Sequence, residues 1–148
     1  MLGKRRTTLL GLGFELLLMA SLLIVAPSSV PAQEKGKLDL VAAAVGRSSY
    51  RIYCGSCHGK KAKGDGPLAE GLKIRPADLT EISKRNGGEF PFDMVLRVID
   101  GRKKVKGHGS AEMPVWGNAF LTTDTEEQAQ ERIRQLTHFL WSIQVDTT

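Results

Sequence analysis

Cys54-Gly55-Ser56-Cys57-His58 is the stretch on which the rest of the sequence turns. These two cysteines are the only ones in the chain. On a helical backbone, residues 54, 57 and 58 stand at i, i+3 and i+4 and share one face. Two thiols and an imidazole on one face can meet a single flat group from the same side. Other uses of the pair fit less well. A structural zinc site wants four ligands, and His108 and His138 could complete a set only at a spacing unlike that of a zinc finger. A thioredoxin-like redox pair needs a βαβ setting that the sequence lacks. A disulfide across two residues is strained and closes too short a loop to gain much. C-x-x-C-H is the spacing of covalent haem attachment. Each thiol adds its S–H across one vinyl group, and His58 is left to ligate the iron.

A second axial ligand must then come from elsewhere. Beyond the first 32 residues the soft or imidazole donors are Met94, Met113, His108 and His138. Met94 and His138 fall inside helical patterns, where packing or helix surface accounts for them. His108 and Met113 share the loop Gly107-His108-Gly109-Ser110-Ala111-Glu112-Met113-Pro114. Met113 is the expected ligand, because a proline stiffens the chain just past its sulfur and a thioether suits an apolar crevice. His108 is the alternative.

Working outward, three helical patterns surround the motif. The first runs from about Ala43 to His58. The second spans Pro91 to Asp100, where Phe92, Val95, Leu96 and Ile99 recur at i, i+3, i+4 and i+7 and Gly101 follows as a stop. The third runs from Asp124 to about Gln144, with Thr123 or Asp124 as N-cap and Ala129, Ile133, Leu136 and Leu140 as its buried stripe. Gly- and Pro-rich loops fill 59–76, 86–89 and 101–117, and no stretch alternates as a strand. The expected fold class is all-α, three or more helices with long loops wrapped around a bound group. Aromatic residues make up only 6% of the chain, so a buried cofactor would supply apolar volume the core lacks.

Residues 1–32 read as a secretory signal. Lys4, Arg5 and Arg6 precede a mostly apolar run from Leu9 to Ala26, and Val30-Pro31-Ala32 offers a cleavage site before Gln33. Glu15 interrupts that run, which argues against a retained membrane anchor. The expected organisation is a signal at 1–32, a flexible lead-in at 33–42 and one domain at 43–146, exported to the periplasm. The whole chain carries a formal charge of +5 and the mature part +3. Residues 46–106 hold 14 Lys and Arg against 7 Asp and Glu, whereas residues 121–148 hold 2 against 5. Export and the lack of interleaved aromatic and basic residues argue against nucleic-acid binding.

Further pieces fall into a familiar order: Gly46 and Tyr50 before the motif, Gly59 after it, then Gly64-Asp65-Gly66-Pro67, Arg75-Pro76-Ala77-Asp78-Leu79-Thr80, Ile99-Asp100-Gly101-Arg102 and Met113-Pro114-Val115-Trp116-Gly117. In this the chain resembles the class I c-type cytochromes of the small bacterial monohaem kind, over nearly all of its mature length. The resemblance implies a cytochrome c fold around one haem c, with iron ligands His58 and Met113. It implies that the first and last helices cross, with Gly46 allowing close approach and Tyr50 packing near Phe139 or Trp141. It implies that the Pro76 carbonyl, or alternatively Pro67, accepts a hydrogen bond from the second nitrogen of His58. Trp116 would line the haem or meet a propionate.

The functional expectation is a monomeric, non-enzymatic carrier of single electrons. A fixed electron-transfer subunit of a periplasmic complex, and an open-site haem enzyme or sensor, are the alternatives. Lys60, Lys61 and Lys63 follow the motif, and Lys103, Lys104 and Lys106 precede the Met113 loop. These six would flank the electron exit and steer acidic redox partners toward it.

Overall fold

The computed structural model describes residues 36–103 and 113–145. The secretory segment, His108, Lys104 and Lys106 lie outside the described residues. Among those described there are six α-helices and two short 3-10 turns and no strand: α1 Leu40–Tyr53, α2 Gly55–His58, α3 Ile82–Arg85, α4 Phe92–Asp100, α5 Trp116–Phe120 and α6 Glu126–Ser142, with turns at Ala69–Gly71 and Leu79–Glu81. The all-α expectation holds at that level. No helix among the described residues is long and apolar enough to cross a membrane.

α1 begins three residues earlier than its periodicity suggests, so the lead-in ends at Asp39 rather than residue 42. The cause is local. The Asp39 carboxylate accepts from the Ala42 N–H at 2.9 Å, a capping bond invisible to an apolar pattern. The Asp39 N–H is itself taken by His138 Nδ1 of α6 at 3.2 Å. α6 starts at Glu126, two residues later than expected. Thr125 is the N-cap, in a reciprocal box in which its hydroxyl accepts from Gln128 N–H and the Gln128 side chain accepts from Thr125 N–H. Asp124 pairs instead with Arg132 at 2.8 Å. α4 starts at Phe92, one residue later than expected, with Pro91 as its N-cap, and Gly101 at φ 69° stops it as expected.

α1 and α6 cross in close contact. A Cβ on Gly46 would overlap the backbone carbonyl of Gln135, so the approach depends on glycine there. Tyr50 packs on Phe139 with ring centroids 5.0 Å apart, as the sequence suggested. α4 lays Val95 and Ile99 against Ile133, Leu136 and Leu140 of α6, and Phe120 of α5 joins the same core. His138 is buried and packs against Phe92 and Trp141, the structural role its place in the third helix suggests.

Candidate functional site

α1 ends at Tyr53, and the chain turns at Cys54 into the single turn of α2. His58 N–H still reaches the Cys54 carbonyl at 2.9 Å, so the i, i+4 relation survives the break. The last carbonyls of this turn would be orphans at a helix end. Here they are taken by the following loop: Gly64 N–H donates to His58, Gly66 N–H to Cys57 and Leu68 N–H to Ser56, at 2.9, 3.1 and 2.9 Å. Tyr50, buried in the core, donates its hydroxyl to the Gly59 carbonyl at 2.8 Å. The backbone that presents the two cysteines and His58 is therefore tied on both sides.

These three side chains line a cavity of about 480 Å³. Its other walls come from four places. Leu72, Ile74 and Pro76 belong to the loop before the second 3-10 turn; Leu79 and Ile82 lie on that turn and α3; Met94, Val95 and Ile99 lie on α4; and Met113 and Trp116 approach from the chain leading into α5. Leu136 and Leu140 of α6 form the floor they share with the core. The lining is mainly aliphatic and aromatic, and the volume falls in the range of small-molecule and cofactor sites. Gln144 holds one wall in register: its amide donates to the Leu79 carbonyl at 2.8 Å and accepts from Ser83 N–H at 2.8 Å.

The chemistry of the donors narrows what this cavity can hold. His58 Nδ1 lies 3.2 Å from the Ala77 carbonyl. A carbonyl only accepts, so Nδ1 carries the proton, and in the neutral ring Nε2 keeps a free lone pair. Burial pushes the His58 pKa down, against the opposing pull of the Ala77 bond, and so favours that neutral ring. This is the tautomer and second-shell bond that metal-ligating histidines use. The Cys54 thiol is pushed up to about 12, first by burial and then by Cys57, so it remains a protonated thiol rather than a reactive thiolate. No disulfide joins the two cysteines. Among the described residues no three or more His, Cys, Asp or Glu side chains are grouped to hold a metal ion by themselves.

The structure corrects one expected contact. The Pro76 carbonyl does not receive His58. It faces Gly64, where a Cβ would overlap it and where φ is +72°, so the chain can pass only because residue 64 is glycine. The next carbonyl, that of Ala77, takes the imidazole proton, and Pro76 keeps only a place in the cavity lining. The remaining expected residues converge: Cys54, Cys57, His58 and Met113 all line the same cavity. Trp116 lines it too, and makes ring contacts with Tyr53 and Phe120 at 5.6 and 5.4 Å. Met94, read from sequence as packing or helix surface, also lines the cavity and is 40% exposed. The aliphatic wall from Leu72 to Ile82 had no sequence signal, because it sits on loop and single-turn segments too short to show a period. Lys60, Lys61, Lys63 and Lys103 are exposed. No family model, curated protein or solved structure matches the chain.

Proposed function

We propose that this chain is an exported c-type cytochrome that binds one haem covalently and passes single electrons between protein partners. The observation that carries the reading is the convergence of Cys54, Cys57, His58, whose Nδ1 is turned to the Ala77 carbonyl, and Met113 on one apolar cavity. The donor set fits haem c. Cys54 and Cys57 would hold the porphyrin through thioethers, and His58 Nε2 and Met113 would be the axial ligands. Bound there, the haem supplies one-electron redox chemistry at its iron. The protein's own part is to exclude water with the aliphatic walls, to fix the imidazole through Ala77, and to fill the sixth position so that no substrate reaches the metal. The cytochrome c resemblance of the sequence points the same way. The exposed Lys60, Lys61 and Lys63, close in sequence to His58, favour acidic redox partners, met in brief encounters that salt would screen.

Met113→Ala tests the ligand set. It should leave haem attached, abolish the sulfur-to-iron charge-transfer band of the oxidised protein, and let the reduced protein bind carbon monoxide. The position of Met94 on the same cavity supports a second reading, in which Met94 is the sulfur ligand. In that case Met94→Ala opens the iron and Met113→Ala does not. His108→Ala opening it instead would assign the ligand to the imidazole. Reduced parent protein that already binds carbon monoxide would favour the open-site alternative over a carrier.

A further inference from the structure

Arg102 carries the densest polar network among the described residues, and nothing in the haem-binding reading uses it. Its guanidinium grips two carboxylates at once. Nε and Nη2 donate to the two oxygens of Asp100 at 2.6 and 2.9 Å, while Nη1 and Nη2 donate to the two oxygens of Glu126 at 2.8 and 2.9 Å. Gln130 adds bonds to Asp100 at 3.2 Å and Glu126 at 3.1 Å. The Arg102 and Asp100 side chains are 24% and 17% exposed, so the inner half of the network is sheltered from solvent. Such paired forks are the geometry that arginine makes and lysine cannot.

The position of the grip matters more than its number of bonds. Asp100 is the last residue of α4, Arg102 opens the segment that leads to Met113, and Glu126 is the first residue of α6. The same segment returns against the same spot. A Cβ on Gly117 of α5 would overlap the Asp100 carboxylate and the Arg102 side chain, and a Cβ on Gly101 would meet Val115 Cα at 3.2 Å. The outgoing and returning ends of the stretch that carries Met113 are therefore fastened at one point and tied to α6. Met113 stands only four residues from Gly117, so the fastening lies close to the sulfur along the chain.

We propose that Arg102 is a positioning residue for Met113: by clamping α4, α6 and both ends of the intervening segment together, it holds the sulfur at the cavity and resists its displacement. This rests on the reading of Met113 as an iron ligand, so the test separates the two. The probe is imidazole titrated into the oxidised, haem-bearing protein and followed by the loss of the sulfur-to-iron charge-transfer band. Arg102→Ala should keep the haem and the helical circular dichroism but bind imidazole ~10-fold more tightly, because displacement of the sulfur no longer has to break the clamp. Arg102→Lys should fall between, since one ammonium cannot engage both carboxylates in forks. Arg134→Ala, which removes the ion pairs of α6 with Glu131 and Asp39 two turns along the helix from the clamp, should lower stability without changing the imidazole affinity. Equal imidazole affinity in Arg102→Ala and the parent overturns the proposal. Should Arg102→Ala fail to fold, Glu126→Gln decides it. That variant frees only the exposed half of the grip, and a rise of ~3-fold is expected, whereas no rise overturns the clamp. The underlying reading fails separately and visibly, through absence of covalent haem or through an unchanged band in Met113→Ala.

Discussion

Where α1 and α6 cross, large side chains are closed over: Tyr50, Ile133, Leu136 and Thr137 are each less than 2% exposed. Across the cavity, Ile74 is 55% exposed and Met94 40%, although both are apolar and both line the same space. The first region is a finished core, in which backbone touches backbone at Gly46 and rings meet rings. The second is a set of walls made largely from loops, single turns and one face of α4, where side chains such as Ile74 and Met94 border a cavity. A domain of this size has little stability to spare, and aliphatic surface left open to water adds nothing to it. The difference shows that helix packing alone specifies one side of the molecule. On the proposed reading the other side is shaped for a partner group, and the cysteines that would hold that group stand where the two sides join.

Substitutions can break this contrast in order of effect. Gly46→Ala strikes the finished side at a contact with backbone, which cannot swing away as a side chain could. It should cost roughly 3 kcal/mol in urea unfolding, with or without a bound group. Tyr50→Phe removes a side-chain bond that runs from the core to the loop after the motif, leaving the buried Gly59 carbonyl with only the Ala62 N–H at 3.1 Å among the described donors. It should cost about 1 kcal/mol and loosen the presentation of the cysteines, measured as slower or less complete haem attachment during maturation.

Ile74→Ser probes the other side. In a haem-free chain carrying Cys54→Ser and Cys57→Ser, a half-exposed wall residue should change stability by no more than about 0.5 kcal/mol. In the haem-bearing protein the same change should be clearly destabilising. Equal effects in the two backgrounds would mean that the wall does not exist to cover a bound group.

The smallest expected effect is a pH dependence on the finished side. Burial, reinforced by Arg134, holds the His138 pKa below its ordinary 6.5, and its Nδ1 accepts the Asp39 N–H that starts α1. The unfolded chain therefore takes up this proton at a higher pH than the folded chain does. Stability is full above about 6.5 and is lost as the pH falls from there toward the lowered folded value. Urea midpoints from pH 7.5 to 5 should fall on acidification, and less so in His138→Asn, whose side-chain oxygen can accept the same N–H without titrating.

The same division explains what the sequence disclosed. α4 and α6 were legible because a helix packed on one face writes a 3.6-residue period into its apolar positions. The motif was legible because its chemistry requires fixed spacing. Helix starts at Asp39 and Thr125 were misplaced by one to three residues, since a capping side chain and the apolar stripe are set by different contacts. The choice of Ala77 over Pro76 was beyond reach of sequence, because neighbouring carbonyls point to opposite sides of an extended chain and only the packing of Gly64 decides which faces His58. The cavity walls from Leu72 to Ile82 were unreadable for a related reason. Side chains ordered around a non-protein group need obey no backbone period, and Gln144, which fastens that wall to α6, reads in sequence as one more polar residue near a helix end.

The most direct test of the account is the mass of the mature protein. The chain should be produced in a bacterial host that attaches haem in its periplasm, then denatured, extracted to remove non-covalent haem, and weighed. A polypeptide beginning near Gln33 and heavier by one haem, with neither Cys54 nor Cys57 free to react with a thiol reagent, is the predicted result. Unmodified polypeptide with two free thiols, from cells that load a known c-type cytochrome at the same time, would contradict it.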